Sequence, residues 1–229
     1  PGLSRAQLLT RGRDALGGES EAALAALVQR RLAGEPMAYI VGVREFYGRT
    51  FIVNDAVLIP RPETEHLVEA TLARLPPQGR LWDLGTGSGA VAVTVALERP
   101  DVHVRASDIS ADALAVAARN AASLGAKLEF AQGSWFAVDR PSETQAYDVV
   151  VSNPPYIEAG DVHLQQGDLR FEPQQALTDF GDGLSCLRAL AEGAPHVLKA
   201  GGWLLLEHSY NQRQAAHALI EQHNIVEVE

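Results

Sequence analysis

The sequence predicts an α/β fold: an open parallel sheet with helices on both faces, preceded by a small helical domain and a linking β-hairpin. Three observations predict it. From residue 80 onward, short apolar runs alternate with helical stretches, the pattern of right-handed strand–helix–strand crossovers. The first of these runs ends in a glycine-rich loop that opens a helix, Asp83-Leu84-Gly85-Thr86-Gly87-Ser88-Gly89-Ala90. An acid, Asp108, closes the second run, where open sheets of this kind meet their ligands.

The elements follow in order. A weak helical stretch over 4–16 precedes a clearer one over 20–33, which puts Leu24, Leu27, Val28 and Leu32 on one stripe. Gly34-Glu35-Pro36 ends that helix. Residues 44–53 are aromatic and β-branched around Gly48 and predict a hairpin. Pro60-Arg61-Pro62-Glu63-Thr64-Glu65 opens a helix running to about Arg74, with acids where the dipole favours them. Leu75-Pro76-Pro77-Gln78-Gly79 is the clearest linker. Beyond it, strands are expected over 80–84, 102–107, 128–132, 147–152 and 203–207. Helices are expected over 89–99, 111–124, 184–198 and 212–223. The division is therefore 1–43 for the helical domain, 44–79 for the hairpin and linker, and 80–229 for the sheet domain. The Gly- and Pro-punctuated segment 153–183 is long for a loop, and long loops on open sheets usually carry function.

Composition excludes several classes. With 229 residues, 46% hydrophobic and 21% charged, the chain can bury a sizeable core without staples. It holds no run of about eighteen apolar residues for a membrane span. Its first residues carry charges where a signal peptide needs an apolar stretch. A lone cysteine, Cys186, fits a reducing cytoplasm and, with apolar neighbours, reads as inert. No Cys/His cluster has zinc-ligand spacing, so no metal is expected. The net charge of −10 is uneven: residues 1–80 carry 10 basic and 9 acidic side chains, and residues 81–229 carry 9 and 20. Such an acidic body repels a phosphate backbone, so a protein or small molecule is the expected partner, not nucleic acid.

The glycine loop lets the backbone approach a ligand closely, and the next helix offers free N–H groups. Asp108, twenty-three residues after Gly85, can accept both hydroxyl hydrogens of a ribose. Together they imply an adenosine-type cofactor. Gly85-x-Gly87-x-x-Ala90 also satisfies a relaxed dinucleotide fingerprint, which leaves NAD open at this point. Asp83 favours S-adenosyl-L-methionine, because a carboxylate suits the positive sulfonium and amino groups.

Asn153-Pro154-Pro155-Tyr156, directly after the strand over 147–152, points to a reaction. The tetrapeptide can hold a planar –NH2 for methylation. The Asn153 side-chain carbonyl can accept one N–H and the Pro154 backbone carbonyl the other. Two prolines remove donors and restrict φ, and Tyr156 offers a flat face. Fixed acceptors can orient a weakly nucleophilic amide nitrogen in line with a methyl group and stabilise the charge developing on it.

The segments Leu58–Glu65, Asp83–Ala90, Asn153–Ile157 and Arg170–Pro173 occur together and in order. In them the chain resembles the bacterial release factor glutamine methyltransferases, the PrmC or HemK family, from about Leu24 to Glu229. The Leu58–Glu65 block and the stretch His163–Pro173 are the restrictive ones. The resemblance implies a Rossmann-like class I S-adenosylmethionine-dependent methyltransferase sheet. It implies methyl transfer to N5 of the glutamine in the Gly-Gly-Gln loop of class 1 peptide chain release factors, leaving S-adenosyl-L-homocysteine. By position, Gly85, Thr86, Gly87, Ser88 and Gly89 would hold the methionine part, Asp108 the ribose, and Trp135 the adenine. Asn153 to Tyr156 would hold the glutamine, and residues 1–43 would dock the substrate. The family's helical domain is usually longer and its fold normally ends in two further strands. The resemblance thus implies that this chain, beginning at Pro1 and stopping at Glu229, lacks part of each.

Other residues admit two readings. Trp135 could be a core aromatic, although its place after the third strand favours the cofactor. Arg61, Glu63 and Glu65 could be helix-start residues or line the mouth of the site. Arg170 and Glu172 could form a loop ion pair or shape a substrate groove. No histidine is placed as a general base, and amide methylation can release its proton to water. The competing functions are a DNA or RNA amino methyltransferase, which would need a basic recognition region, and a non-catalytic adaptor, against which intact Asp83, Asp108 and Asn153 argue. An NAD-dependent oxidoreductase has no use for Asn-Pro-Pro-Tyr. A monomer acting in the cytoplasm is the expected form.

Overall fold

The structure, a computed structural model, describes residues 5–12, 14–15, 17–138 and 146–223. Its centre is a five-stranded parallel sheet built from β3 (Arg80–Leu84), β4 (His103–Asp108), β5 (Glu129–Gln132), β6 (Tyr147–Ser152) and β7 (Leu198–Leu206). The strand order is β5-β4-β3-β6-β7. The chain thus winds outward from β3 through β4 to β5, then returns to the other side of β3 for β6 and β7. This reversal opens a crevice between β3 and β6 at their carboxyl ends, where such sheets bind ligands.

Strand periodicity divides the core between the two faces. In β3, Leu81 faces one apolar cluster while Trp82 and Leu84 face another, and in β6 Val149 and Val151 oppose Val150 in the same way. The first cluster is closed by α5 (Ala90–Glu98), whose sides are apolar all round and buried, and by α4 (Thr64–Arg74). Beyond the short α7 (Gln174–Leu177), the second is closed by α8 (Ser185–Gly193) through Leu190. α6 (Ala111–Leu124) starts at a Ser110 cap, whose hydroxyl accepts from Ala113 N at 3.2 Å, and ends at Gly125 with φ +79°. α9 (Arg213–Gln222) packs beside α8.

Ahead of the sheet lie α1 (Arg5–Thr10), α2 (Gly18–Leu32), α3 (Met37–Val41) and an antiparallel hairpin of β1 (Val43–Phe46) and β2 (Arg49–Ile52). The hairpin turns at Tyr47-Gly48, both at positive φ, as predicted around Gly48. Phe46 and Phe51 pack it against the core of the sheet domain, and a buried polar side chain adds hydrogen bonds to the junction. Asn120 of α6 donates to Ile52 O at 3.0 Å and Ser88 O at 2.8 Å, and accepts from Ile52 N at 2.7 Å. A further apolar cluster, Tyr39, Val53, Val57, Ile59, Ala113 and Val116, adds α3 to the same junction.

Three expectations change. The helix expected from Pro60 begins at Thr64, because Arg61, Pro62 and Glu63 form a turn whose carbonyls accept from Thr64, Glu65 and His66 three residues on. The helix expected over 184–198 stops at Gly193, with Pro195 inside a short 3-10 turn that follows. β7 starts at Leu198, but its pairing with β6 breaks between Leu198 and Trp203 and resumes from Trp203, where the sequence placed the strand. The helix α3 was not foreseen, being too short for periodicity to reveal. Ile225–Glu229, where the first of the family's two further strands would begin, fall outside the described residues.

Candidate active site

The glycine loop leaves β3 in a left-handed path, with φ of +72° at Gly85, +56° at Gly87 and +81° at Gly89. Only glycine takes this path freely. A β-carbon at Gly87 would meet nothing within 4 Å, whereas one at Gly89 would stand 3.1 Å from the Ala117 methyl. Gly87 therefore opens space for a ligand, while Gly89 lets α5 and α6 pack closely. Beside Gly85, the Trp135 ring would lie 3.6 Å from such a carbon. Trp135 itself has φ +44° at the head of a 3-10 turn, Trp135–Val138, and presents its ring to the cavity.

Two carboxylates flank the loop. Asp83 is buried, and its Oδ2 accepts from Thr86 Oγ1 at 2.6 Å and from Ala92 N at 3.2 Å. Burial outweighs these bonds and pushes its carboxyl up to about 7. Asp108 accepts from Gly87 N and Ser110 N, each at 2.9 Å, so it is fixed at the tip of β4. Burial also raises its carboxyl, against the pull of those backbone donors.

These groups surround a cavity of about 410 Å³ at the carboxyl edge of the sheet. The cavity wall includes Asp83, Gly85, Thr86, Gly87, Ser88, Asp108 and Trp135 from the loop side, and Asn153 and Pro155 from the other. Gly89 lies behind the wall, and Pro154 is buried beneath the turn. Tyr156 is half-buried beside the wall, not in it, and its hydroxyl faces Glu207 Oε1 at 3.4 Å. Gln212 anchors that turn by donating to Tyr156 O at 2.9 Å and Gly183 O at 3.1 Å. Burial beside Glu207 pushes the Tyr156 phenol up to about 12, so it stays a hydrogen-bond donor.

The structure separates the residues with double readings. Arg170 does not pair with Glu172. It donates to Ala33 O at 3.2 Å and lies over the Phe171 ring, while Glu172 turns inward to pair with Arg61 and accept from Ile59 N at 3.0 Å. The physical reason is the 3-10 turn Leu169–Phe171, which sends the two side chains in opposite directions. Arg61 lines the cavity; Glu65 instead accepts from Tyr47 N at 2.8 Å and braces the hairpin. Cys186 stands in the cavity wall with its thiol raised by burial. Sequence reasoning missed Thr64, Phe180 and Glu207. Thr64 and Phe180 line the cavity, and Glu207 lines a neighbouring pocket beside α4 and β7, where it meets the Tyr156 hydroxyl. Glu207 carries a signal the sequence does offer, being the polar residue at the carboxyl end of a predicted strand, as Asp108 and Asn153 are.

A doubly wound sheet with a glycine loop, a ribose-type acid and an Asn-Pro-Pro-Tyr turn on one cavity defines the class of amino methyltransferases. Comparison with known proteins agrees. Residues 63–181 match the "Methyltransferase small domain" model and residues 2–42 the "PrmC N-terminal domain" model. The chain is 66% identical over 226 residues to a release factor glutamine methyltransferase of Neisseria gonorrhoeae, covering 99% of this chain and 82% of that protein. It is 51% identical to the one of Bordetella pertussis, over 99% of this chain and 84% of that protein, and 45% identical to the one of Escherichia coli, over 93% and 77%. A methyltransferase structure from Pyrococcus furiosus shares the fold, with a TM-score of 0.56 at 17% identity over 90% of this chain and 87% of that one. This chain belongs to the release factor glutamine methyltransferase family.

Proposed function

We propose that this chain transfers a methyl group from S-adenosyl-L-methionine to N5 of the glutamine in the Gly-Gly-Gln motif of class 1 peptide chain release factors. The observation that carries the reading is the position of Asn153. It stands on the same cavity as the glycine loop and Asp108, in a chain belonging to a family of release factor glutamine methyltransferases. The cavity residues fit the donor. Asp83 is a buried carboxylate that a neighbouring cation would stabilise, the open flank of Gly87 admits a ligand, and Asp108 faces where a ribose would lie. Bound there, S-adenosyl-L-methionine supplies an electrophilic methyl on a positive sulfur.

The protein's part is placement. Asn153 Oδ1 and the Pro154 carbonyl accept the two amide hydrogens of the glutamine, which aims its nitrogen at the methyl. As the nitrogen–carbon bond forms and the sulfur–carbon bond breaks, positive charge grows on the nitrogen and both acceptors gain strength. The surplus proton leaves for water, and S-adenosyl-L-homocysteine remains. Residues 1–43 serve as the docking domain, 44–79 as the connection and 80–229 as the catalytic domain. The chain acts in the cytoplasm as a monomer, on a protein and not on nucleic acid; among the described residues no helix is long and apolar enough to cross a membrane. The test is methyl transfer from labelled S-adenosyl-L-methionine to purified release factor, beside a factor whose loop glutamine is replaced. Label on the unaltered factor alone is expected. Label on neither, with the donor still bound, would overturn the proposal.

A further inference from the structure

Glu207 is the first residue beyond β7, and its N–H donates to Ser152 O at 3.0 Å. The β6–β7 ladder therefore carries it alongside Asn153. Its Oε1 faces the Tyr156 hydroxyl, while Oε2 is buried with no hydrogen-bond partner among the described residues. On the other side of the turn, Asn153 Nδ2 donates to Oγ1 of Thr64, the buried first residue of α4, at 3.2 Å. Burial raises the Glu207 carboxyl and the Glu63 charge adds to this; the Thr64 and Tyr156 hydroxyls and the Asn153 amide act the other way, favouring the carboxylate. A half-buried acid with one oxygen sealed from water and unpaired is costly to keep, and apolar residues would pack the strand end more cheaply.

We propose that Glu207, with Thr64, is a positioning residue that fixes which way the Asn153 amide faces. The two ends of an asparagine side chain have nearly the same size, so shape alone does not orient it. As it stands, the –NH2 end donates to the Thr64 oxygen on the side where it favours the Glu207 carboxylate, and Oδ1 is left to accept from a substrate amide. Turned over, Oδ1 would face the carboxylate and the –NH2 would meet the substrate's own –NH2, donor against donor. The same carboxylate holds the Tyr156 hydroxyl, so both ends of the turn are set by one charge. This inference rests on the role given to Asn153 above.

Glu207→Gln removes the charge and keeps the volume. With saturating donor, kcat on release factor should fall roughly tenfold to a hundredfold, while KM for the factor and Kd for S-adenosyl-L-methionine stay within about twofold. Glu207→Asp should recover part of the loss. In the unaltered protein, kcat should fall as pH drops through the raised Glu207 carboxyl, and this inflection should vanish in Glu207→Gln. The other titratable and charged groups around Glu207 are Glu63, His66 and Arg74 at and before α4, Tyr156 from the turn, and His208, Arg213 and His217 beyond β7, with Asp83, Asp108 and Arg61 on the neighbouring cavity; both variants retain them all, so the difference between the unaltered protein and Glu207→Gln isolates Glu207. A second readout needs no turnover: in nitrogen-labelled protein, the Asn153 side-chain –NH2 protons should exchange with water about tenfold faster in Glu207→Gln. Unchanged kcat and exchange would overturn the inference, as would a parallel loss of kcat, donor affinity and melting temperature. Absence of methyl transfer by the unaltered protein, with exchange still dependent on Glu207, would remove the proposed function and leave the positioning role standing.

Discussion

Asn153 and Asp83 divide the work of the cavity, and each can be tested apart from the other. Asn153 touches the substrate side of the wall, with its own amide anchored on Thr64. Asn153→Ala should lower kcat by about a hundredfold or more, the scale of losing a preorganised acceptor, with donor affinity within about twofold. Equal losses in both, measured by initial rates and calorimetry, would make the turn a structural element only. Asp83 faces the opposite demand. Its carboxyl, pushed up to about 7 by burial, is largely neutral at pH 6 and ionised at pH 8. A cationic donor prefers the ionised form, so its affinity should weaken as pH falls below about 7, approaching tenfold per unit. Binding should also release a proton, visible as a buffer-dependent heat. For folding the sign is reversed. The folded state holds this proton more tightly than the unfolded chain, so the group's contribution to stability is full below the ordinary aspartate range and is lost as pH rises through about 7. Asp83→Asn keeps an oxygen for Thr86 and Ala92 and removes the buried charge. At pH 8 it should melt about 2–8 °C higher and bind S-adenosyl-L-methionine more weakly. A variant that melts lower and binds as before would sever the link between that charge and the donor.

Single elements are held in place by buried polar side chains that periodicity does not reveal. Asn120 shows this best: it sits on the inner face of α6, fully buried, and ties β2 and the glycine loop together through three hydrogen bonds. Asn120→Ala would leave the two carbonyls and the N–H without partners, at a cost of about 3 kcal/mol. A lower urea midpoint with an unchanged slope would register that loss. A midpoint within error of the unaltered protein would mean that water replaces the side chain. The same contrast explains what could be read in advance. β3, β6, α6 and the glycine loop were legible because burial imposes a period of 2 or 3.6 and a positive φ demands glycine. Asp108 and Asn153 were legible because each ends a strand at the binding edge. What stayed hidden depends on contacts distant in sequence. Thr64 meets Asn153 across 89 positions and Arg61 meets Glu172 across 111. Neither pairing leaves a local pattern, and the two acids nearest Arg61 in sequence, Glu63 and Glu65, are not its partners.

Across the whole molecule, charge and apolar surface are distributed to suit a protein substrate. The sheet domain carries the excess acid, with 20 acidic against 9 basic side chains over 81–229, a balance that disfavours a phosphate backbone. The helical segment before it is balanced and joined to the loop after β6. Arg31 reaches Asp168 at 3.3 Å, and Arg170 donates to Ala33 O, an approach that Gly34 permits because a β-carbon there would strike the guanidinium. Through Arg61 and Glu172 that loop also touches the cavity wall, so α2 and the site are parts of one connected surface. Yet α2 buries none of its residues: Leu24, Leu27, Val28 and Leu32, the stripe expected from periodicity, are 39–73% exposed. An apolar stripe of this kind serves either packing within the helical domain or docking of a release factor, and substitution separates the two. Replacing Leu24 and Leu27 together by Asp changes only exposed positions, so the melting temperature should stay within about 2 °C. The KM for release factor should rise about tenfold, with kcat and donor affinity unaltered, because docking is lost and chemistry is not. Initial rates against release-factor concentration decide it: an unmoved KM would take α2 out of substrate recognition and leave the loop after β6 as the surface that selects the factor.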